Sequence, residues 1–313
     1  MGAFMSVMKD AFPPKPTFKV DDIPDLRGKV VIVTGANTGV GKETARALLV
    51  HNAKVYVAAR NQSKAQEAIE ELRKETGKEA IFLKLDLGDL NSIKASAEEF
   101  MSKGENLNIL FNNAGVMRPP VKDLTSQDYD LQFGTNVLGH FYFTKLLIPA
   151  LTKGAKSSPD GTSRVVTTSS SASFLGSIDF NALKDSAKRR KHSSADLYSQ
   201  SKLGNVLISN EFAERYGNLG IISIAVNPGN LNSELARHMP GWQASLLRAT
   251  MLYPVPLGAL TQLYAGTMDD GAKLNGKWMR PWARHGEHPS RLAHDKQLAE
   301  QVWQWCEDQV ANL

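Results

Sequence analysis

The residues best suited to acid/base chemistry are a tyrosine and a lysine four positions apart, Tyr198 and Lys202. On a helix, residues i and i+4 share a face, so this spacing would bring an ammonium group close to a phenol. A nearby positive charge favours phenolate and lowers the pKa of a group that otherwise titrates near about 10. Such a tyrosine can exchange a proton with an oxygen whose carbon gains or loses hydride. Because the same pair occurs in ordinary amphipathic helices, its interpretation depends on the surrounding sequence.

A glycine-rich segment near the N-terminus has the composition of a phosphate-binding turn. It follows the apolar run 29–34 and reads TGANTGVGK over residues 34–42. Glycines permit a tight turn and let a pyrophosphate approach the N-terminus of the next helix. The glycine spacing differs from G-x-G-x-x-G, and it is not a P-loop because it is one residue too long and no Ser or Thr follows Lys42. A purely structural turn is the alternative, but the position between strand and helix favours dinucleotide binding.

The residue after the second apolar run, 54–59, bears on which dinucleotide binds. In an NAD site, an acidic side chain near this point binds the ribose 2′-hydroxyl. Here the run is followed by Arg60, whose guanidinium suits a 2′-phosphate by charge and by bidentate geometry, and Asn37 and Lys42 could assist. We therefore predict NADP(H) as the cofactor in preference to NAD(H). The alternative is that Arg60 is a surface charge at the start of a helix.

The elements that would position these residues alternate along the chain. Helices are predicted at 41–51 and 63–76, and apolar, β-branched runs lie at 29–34, 54–59, 80–85, 107–112, 164–168, 221–226 and near 277–279. Runs that are apolar throughout indicate parallel strands covered by helices on both faces. We predict an α/β fold: a single-domain, doubly wound (Rossmann) sheet of about seven parallel strands, with ligands at the carboxyl ends of the strands.

The predicted domain organisation is an N-terminal arm, residues 1–25, followed by one domain, residues 26–313. Within the domain, 171–197 form an insertion before Tyr198, and 230–262 form loops and helices that cover the substrate. The methionine- and aromatic-containing stretch 237–260 favours an apolar substrate, although a packed cap indifferent to substrate is the alternative. The first residues fit a myristoylation pattern, but we favour a flexible arm whose apolar groups pack on the body.

The composition is that of an ordinary globular protein of 313 residues with a net charge of +5. Basic residues are spread along the chain except at 188–192, where we favour a solvated face of the insertion over a localisation or polyanion patch. The single cysteine, Cys306, excludes an intramolecular disulfide and fits a reducing compartment. No apolar run approaches the roughly 18–20 residues that span a bilayer. We expect a cytoplasmic protein with no transmembrane segment and no nucleic-acid partner.

The histidines do not indicate a metal site. His285, His288 and His294 lie close together, but their spacing matches no zinc motif, and we expect a solvated C-terminal loop. His140 is interpreted as a packed helix residue rather than a proton relay.

Taken together, these motifs resemble those of the short-chain dehydrogenase/reductase (SDR) family over residues 26–310. The features that carry the resemblance are the glycine turn, Asp86-Leu87, Asn112-Asn113-Ala114-Gly115, Asn136, Ser170, Tyr198 with Lys202, and Asn227-Pro228-Gly229. Within the family the chain is most similar to the retinol-dehydrogenase-like group, through TGANTGVGKETA at 34–45, NNAGVM at 112–117, NVLGHF at 136–141 and SQSKLGN at 199–205.

The resemblance implies four catalytic residues. Tyr198 would transfer the proton, Lys202 would lower its pKa and hold the nicotinamide ribose, and Ser170 would bind the substrate oxygen. Asn136 would fix the helix and the water that relay protons to Lys202. Because several serines follow the fifth strand, Ser169 is the alternative to Ser170.

The resemblance also implies a cofactor-binding set that extends from the glycine turn to the segment after the sixth strand. Its members are Gly35, Asn37, Thr38, Gly39, Val40, Arg60, Asp86, Leu87, Asn113, Ala114, Gly115, Tyr198, Lys202, Pro228, Gly229, Leu231 and Ser233. Ser233 stands where the family often has threonine, and both residues offer a hydroxyl.

The expected activity is NADP(H)-dependent hydride transfer between the nicotinamide and a carbonyl or alcohol, mainly reduction of hydrophobic or aromatic aldehydes and ketones. Two alternatives remain open. One is a catalytically idle NADP(H)-binding sensor or scaffold, and the other is a dehydrogenase specific for retinoids or sterols, which the absence of a spanning N-terminal anchor disfavours. The family resemblance implies a homodimer or homotetramer, with a monomer as the alternative.

Overall fold

An eight-stranded sheet forms the centre of the protein. The structure is a computed structural model that describes residues 2–231 and 252–313, and it describes side chains from Ser6 onward. The order of the sheet is β3-β2-β1-β4-β5-β6-β7-β8. The strands are β1 (Val30–Thr34), β2 (Lys54–Ala59), β3 (Ile81–Lys84), β4 (Ile109–Asn112), β5 (Ser163–Thr168), β6 (Ile221–Val226), β7 (Trp278–Arg280) and β8 (Arg284–Gly286). Strands β1 to β7 pair in parallel and β8 pairs antiparallel to β7.

The predicted α/β doubly wound fold is therefore confirmed, with one addition. Each apolar run identified in the sequence overlaps a strand, whereas β8 has only three residues and no apolar run to indicate it. The chain order reverses between β1 and β4, so the loops after these two strands leave the sheet in opposite directions. A crevice at their carboxyl ends follows from that reversal.

Helices cover both faces of the sheet. They are α1 (Gly2–Ala11), α2 (Gly39–Val50), α3 (Gln62–Thr76), α4 (Leu90–Ser102), α5 (Gly139–Ser157), α6 (Ser194–Tyr216), α7 (Val255–Thr267) and α8 (Lys296–Val310). Alternate residues of β1 enter different cores: Ile32 packs with α4, α5, α6 and α8, while Val31 and Val33 pack with α2, α3 and α7. Most of α6 is buried, which places Tyr198 and Lys202 away from bulk water.

The N-terminal arm begins with α1, which ends at Ala11 before the prolines. Asp10 and Ala11 are buried, and Val7 packs against the core. Val7 and Ala11 thus contact the body as expected, whereas Met8 and Phe12 are exposed. The buried carboxylate of Asp10 gave no sequence signal. Within the described ranges, no helix is long and apolar enough to cross a membrane.

The insertion departs from the sequence-based expectation at one residue of its basic run. We expected residues 188–192 to be solvated, and this was wrong for Arg189, whose side chain is 1% exposed. Its Nε donates to the Asp130 carboxylate at 3.0 Å, and one terminal nitrogen, Nη2, donates to the carbonyls of both Val121 and Asp123. Asp130 in turn accepts the backbone N–H of Phe133 at 2.9 Å. A buried ion pair therefore fastens the insertion to the segment that leads into the helix containing Asn136.

The C-terminal loop is also less solvated than expected. His285 is exposed, but His288 is buried and packs edge-on against the rings of Phe174 and Trp278. Burial lowers the pKa of His288 to about 4, so its ring is neutral at physiological pH. Its Nε2 lies 2.9 Å from the Ser173 hydroxyl. Across the part of the chain that the structure describes, His, Cys, Asp and Glu side chains form no group suited to holding a metal ion.

Replacing Arg189 with alanine should lower the free energy of unfolding by about 3–5 kcal/mol, because the Asp130 carboxylate would stay buried without its partner. Its neighbour Arg190 is 60% exposed and pairs with Asp185 at the surface, so Arg190→Ala should cost less than about 1 kcal/mol. Urea unfolding of the two variants measures the difference. Equally small losses would show that Asp130 gains another counter-charge or water when Arg189 is removed.

Candidate active site

A cavity of about 870 Å³ lies at the carboxyl ends of β1 to β6. Its volume is within the range of cofactor and substrate sites. The predicted site residues that line it are Gly35, Asn37, Thr38, Gly39, Val40, Arg60, Asp86, Leu87, Asn113, Ala114, Gly115, Ser170, Tyr198, Lys202, Pro228, Gly229 and Leu231. Asn136 lies behind the wall of the cavity, and Ser233 lies outside the described residues. Residues far apart in the sequence therefore meet at one crevice.

The glycine turn is shaped by close backbone contacts. Gly35 and Gly39 both have positive φ, at 67° and 56°, which favours glycine. A Cβ on Gly41 would lie 2.5 Å from both the Gly35 carbonyl oxygen and the Asn113 amide nitrogen. The turn leads directly into α2, which begins at Gly39, so the N-terminus of this helix faces the cavity. Such a terminus attracts anions through its N–H groups and the helix dipole.

The Thr34 hydroxyl joins the turn to the segment after β4. It accepts the backbone N–H groups of Asn113 and Ala114, each at 2.9 Å. His140 lies behind it, with Nδ1 3.0 Å from the Asn136 carbonyl oxygen and Nε2 2.9 Å from the Thr34 hydroxyl. Because Nδ1 faces a carbonyl it donates, which leaves Nε2 to accept the hydroxyl hydrogen. Burial lowers the pKa of His140 to about 4, consistent with a neutral, packed ring.

Asn136 connects the wall of the cavity to α6. It sits in a π-helical segment, Gly134–Leu138, that precedes α5. Its side-chain oxygen accepts the Val116 N–H at 2.8 Å, and its amide group donates to the Val116 carbonyl and the Ser201 hydroxyl, each at 3.0 Å. Every polar group of this buried side chain is therefore used to hold the loop after β4 against the helix that carries Tyr198.

The predicted acid/base residues converge from β5 and α6. The Ser170 hydroxyl is hydrogen-bonded to Tyr198, and it accepts the Ala172 N–H at 3.2 Å. Lys202 donates to the Thr168 carbonyl at 2.9 Å, and its Nζ lies 5.8 Å from the centre of the Tyr198 ring. The Ser169 hydroxyl instead donates to the Lys202 carbonyl at 2.6 Å. The structure therefore favours Ser170 over Ser169 as the residue that faces Tyr198.

Two cationic side chains stand at the far end of the cavity. Arg60 is 73% exposed, and its Nε lies 3.9 Å from the Asp86 carboxylate. Lys64, in the first turn of α3, also lines the cavity and was not predicted, because its spacing within the helix is that of any surface lysine. Lys42, which the sequence offered as a further phosphate ligand, pairs with Glu71 instead and does not line the cavity.

A model of the short chain dehydrogenase family matches residues 29–244, well over half of the chain. The chain belongs to the short-chain dehydrogenase/reductase family. A short-chain dehydrogenase/reductase of Armillaria gallica is 55% identical over 307 residues, covering 98% of each chain. Retinol dehydrogenase 12 of Mus musculus is 38% identical, covering 89% of this chain and 85% of the relative. A solved structure of an uncharacterized protein from Mycobacterium paratuberculosis has a TM-score of 0.72 at 30% identity, covering 93% of this chain and 96% of that one.

Membership of the SDR family makes the chain an oxidoreductase that uses a nicotinamide cofactor. The similarity to a retinol dehydrogenase also confirms the group within the family that the sequence motifs had indicated. Residues 232–251, most of the stretch expected to cover the substrate, lie outside the described residues.

The ionisation of the predicted acid/base pair, Tyr198 and Lys202, differs from the sequence-based expectation. Burial raises the pKa of Tyr198 to about 12, and the hydrogen bond from Ser170 opposes this only in part. We expected the Lys202 ammonium to lower the pKa of Tyr198, but burial lowers the pKa of Lys202 itself to about 7. At neutral pH Tyr198 therefore holds its proton, and Lys202 is close to its midpoint of ionisation.

The free energy of unfolding should rise between about pH 7 and pH 10 because of Lys202. In this window Lys202 is protonated in the unfolded chain and neutral in the folded chain, so unfolding takes up a proton. Because protons become scarcer as the pH rises, unfolding becomes less favourable. The slope is at most about 1.4 kcal/mol per pH unit. Lys202→Met should flatten this rise and be no less stable than the unmodified protein at pH 7. Urea unfolding at several pH values measures both slopes, and equal slopes would contradict the burial of an uncharged Lys202.

Proposed function

We propose that the chain is an NADP(H)-dependent oxidoreductase that transfers hydride between the nicotinamide and a carbonyl or alcohol, and that it mainly reduces hydrophobic or aromatic aldehydes and ketones. The observation that carries this proposal is the meeting of Ser170, Tyr198 and Lys202 at one end of a cavity whose other end is a glycine turn at a helix N-terminus. Neither feature alone would favour hydride transfer.

The cavity fits a dinucleotide on its own geometry. Side-chain carbons at Gly35 and Gly41 would collide with Ala114 and with the turn itself, so these glycines let the turn pack closely against the segment after β4. The N-terminus of α2 offers N–H groups and a positive dipole to a pyrophosphate. A Cβ on Gly115 would lie 3.6 Å from the Lys202 Nζ, so this glycine leaves space directly in front of the lysine. We infer that the cofactor runs from α2 to Lys202.

The residues around Tyr198 can carry out the proton transfer that accompanies reduction. The bound nicotinamide supplies the hydride to the carbonyl carbon. Ser170 uses its oxygen to accept the Ala172 N–H, and its hydroxyl hydrogen, which bonds Tyr198, can rotate to the substrate oxygen. Tyr198 donates its proton to that oxygen, and a positive charge on Lys202 stabilises the phenolate that forms.

The high pKa of Tyr198 supports reduction as the main direction near neutral pH. A phenol with a pKa of about 12 is a proton donor at pH 7, which is what a carbonyl oxygen requires as it becomes an alcohol. Alcohol oxidation requires the phenolate instead, so that direction should be favoured at alkaline pH.

The cationic end of the cavity supports NADP(H) over NAD(H). Arg60 and Lys64 both line it, and no acidic residue stands at the end of β2 where a ribose 2′-hydroxyl would be bound. The Asp86 carboxylate, 3.9 Å from the Arg60 guanidinium, can hold that side chain toward the cavity. A 2′-phosphate would receive charge-assisted hydrogen bonds from Arg60.

The proposed substrate class rests on the apolar part of the lining. Val116, Met117, Pro119, Leu131 and Leu252 line the cavity and favour a hydrophobic carbonyl compound. A retinoid or sterol is the more specific alternative, favoured by the similarity to retinol dehydrogenase 12. An idle NADP(H)-binding sensor is the alternative from another class, but cofactor binding alone would not require Ser170 to face Tyr198.

We extend the proposal to the organisation of the chain. Residues 26–313 are proposed as one domain, 1–25 as the arm, 171–197 as an insertion beside the site and 230–262 as the substrate cover. The sheet runs continuously from β1 to β8, which supports one domain. We propose a cytoplasmic location and a homodimer or homotetramer, with a monomer as the alternative state.

Tyr198→Phe should reduce turnover at least about a hundredfold, because the proton donor is lost. NADPH binding should remain nearly unchanged, because the variant keeps the ring and Lys202. Turnover is measured as the loss of NADPH absorbance with a panel of aryl aldehydes, ketones and retinal. Tyr216→Phe, on the same helix but distant from the cavity lining, is the control. Tight NADPH binding without turnover of any compound would favour the sensor, and full activity of Tyr198→Phe would remove Tyr198 from its role.

Arg60→Ala should weaken NADPH binding about tenfold and leave NADH binding unchanged, because one charge-assisted contact to the 2′-phosphate is lost from an exposed side chain. Arg73→Ala provides the control, since Arg73 lies on α3, pairs with Glu70 and does not line the cavity. Dissociation constants for both cofactors measure the effect. Equal weakening of NADH and NADPH would contradict 2′-phosphate recognition by Arg60.

A further inference from the structure

The carboxylate of Asp10 is buried at the end of α1, with the residue 1% exposed. One of its oxygens accepts the Nε–H of Arg280, at the end of β7, at 2.7 Å. The same oxygen lies 4.0 Å from a terminal nitrogen of Arg284, at the start of β8. The arm is therefore fixed to the β7–β8 hairpin by a buried ion pair.

The hairpin places two guanidinium groups side by side, and Asp10 is the carboxylate that offsets their repulsion. Burial and the neighbouring Arg280 lower the pKa of Arg284, whereas Asp10 raises it. Removal of Asp10 would leave two partly buried cations facing each other. The position of α1 and the shape of the hairpin thus depend on each other.

The second oxygen of Asp10 leads toward the cavity. It accepts a hydrogen bond from the amide nitrogen of Asn227 at 3.0 Å, and the amide oxygen of Asn227 accepts the Gly229 N–H at 3.1 Å. Asn227 is buried, its amide nitrogen bonds Asp10 and its amide oxygen bonds the Gly229 N–H. The next residues, 228–231, line the cavity. Asp10 therefore determines which way the Asn227 amide points, and Asn227 restrains the backbone of this lining.

Gly229 is also restrained by its own backbone conformation and by a close neighbour. Its φ is +80°, and a Cβ on it would lie 2.8 Å from the Trp282 ring in the same hairpin segment. Helix α1 also contacts Ser171–Leu175, the helical turn that follows Ser170. The arm thus touches the segments on both sides of the reacting end of the cavity.

We propose that Asp10 is a positioning residue for hydride transfer: through Asn227 it holds residues 228–231 at the nicotinamide end of the cavity, so that the N-terminal arm forms part of the active site. The inference rests on the proposed function, which places the nicotinamide beside Pro228 and Gly229. The arm lies outside the segment that matches the family model, residues 29–244.

The test compares Asp10→Ala with Asp21→Ala, an exposed acidic residue in the same arm, in the full chain. Asp10→Ala should lower kcat about ten- to a hundredfold per folded molecule, since small misplacements of reacting groups have effects of this size. Binding of 2′,5′-ADP should stay unchanged, because this probe occupies only the adenosine end. The fluorescence of bound NADPH should change, because the surroundings of the nicotinamide change.

If Asp10 has a purely structural role, Asp10→Ala will have a lower melting temperature but the same kcat per folded molecule as Asp21→Ala. That result would overturn the proposal. If Asp10→Ala does not fold, Asp10→Glu keeps the charge but moves the carboxylate by one methylene. For that variant the same loss of kcat with unchanged 2′,5′-ADP binding is expected.

The route through Asn227 is tested by combining Asp10→Ala with Asn227→Ala. A combined loss of kcat equal to the larger single loss supports one shared route, and multiplied losses overturn it. If the unmodified protein turns over no carbonyl compound, the proposed function fails by itself. The fluorescence of bound NADPH then still reports whether Asp10 positions the nicotinamide end.

Discussion

The close approach of two loops at the point where the strand order reverses determines where the cavity lies. A Cβ on Gly35 would be 3.0 Å from Ala114, so the turn after β1 and the segment after β4 are nearly in contact. The Thr34 hydroxyl accepts two N–H groups from that segment, and its own hydrogen is directed toward His140. His140 in turn reaches the carbonyl of Asn136, whose side chain holds α6. The glycine turn and the helix of Tyr198 are thus linked by one continuous set of hydrogen bonds.

Burial gives the proposed reacting groups their ionisation states, and it does so at a cost in stability. Tyr198 and Lys202 sit on a helix that is buried over most of its length, so each is driven toward its neutral form. A leucine or methionine in place of Lys202 would be easier to bury, which is why an uncompensated lysine at such a position points to a chemical role. The neutral His140 and His288 show the same effect of burial without facing the cavity.

The strands and the doubly wound fold could be predicted from the sequence because they depend on local patterns, and most of the cavity lining could be predicted from the family resemblance. Apolar runs indicate buried strands, and residues that follow parallel strands must meet at one edge of the sheet. Arg189, His288 and Asp10 could not be placed, because each is buried by a partner distant in sequence. Nothing near Arg189 indicates that Asp130 will face it, and nothing in the arm indicates Arg280. Lys64 was missed for a different reason, since only the turn from β2 into α3 brings it to the cavity.

The contact between Asp10 and Arg280 joins residues that are 270 positions apart. Asp10 leaves the ribosome before any strand of the sheet, and its partner Arg280 follows only after β1 to β6 have been made. At about 5–20 residues per second, that interval is roughly 15–50 s. During it the carboxylate lacks its partners Arg280 and Arg284, while the strands of the central sheet can already form. The hydrogen bonds that restrain the Gly229 segment are therefore completed late in the life of the nascent chain, after the final strands emerge.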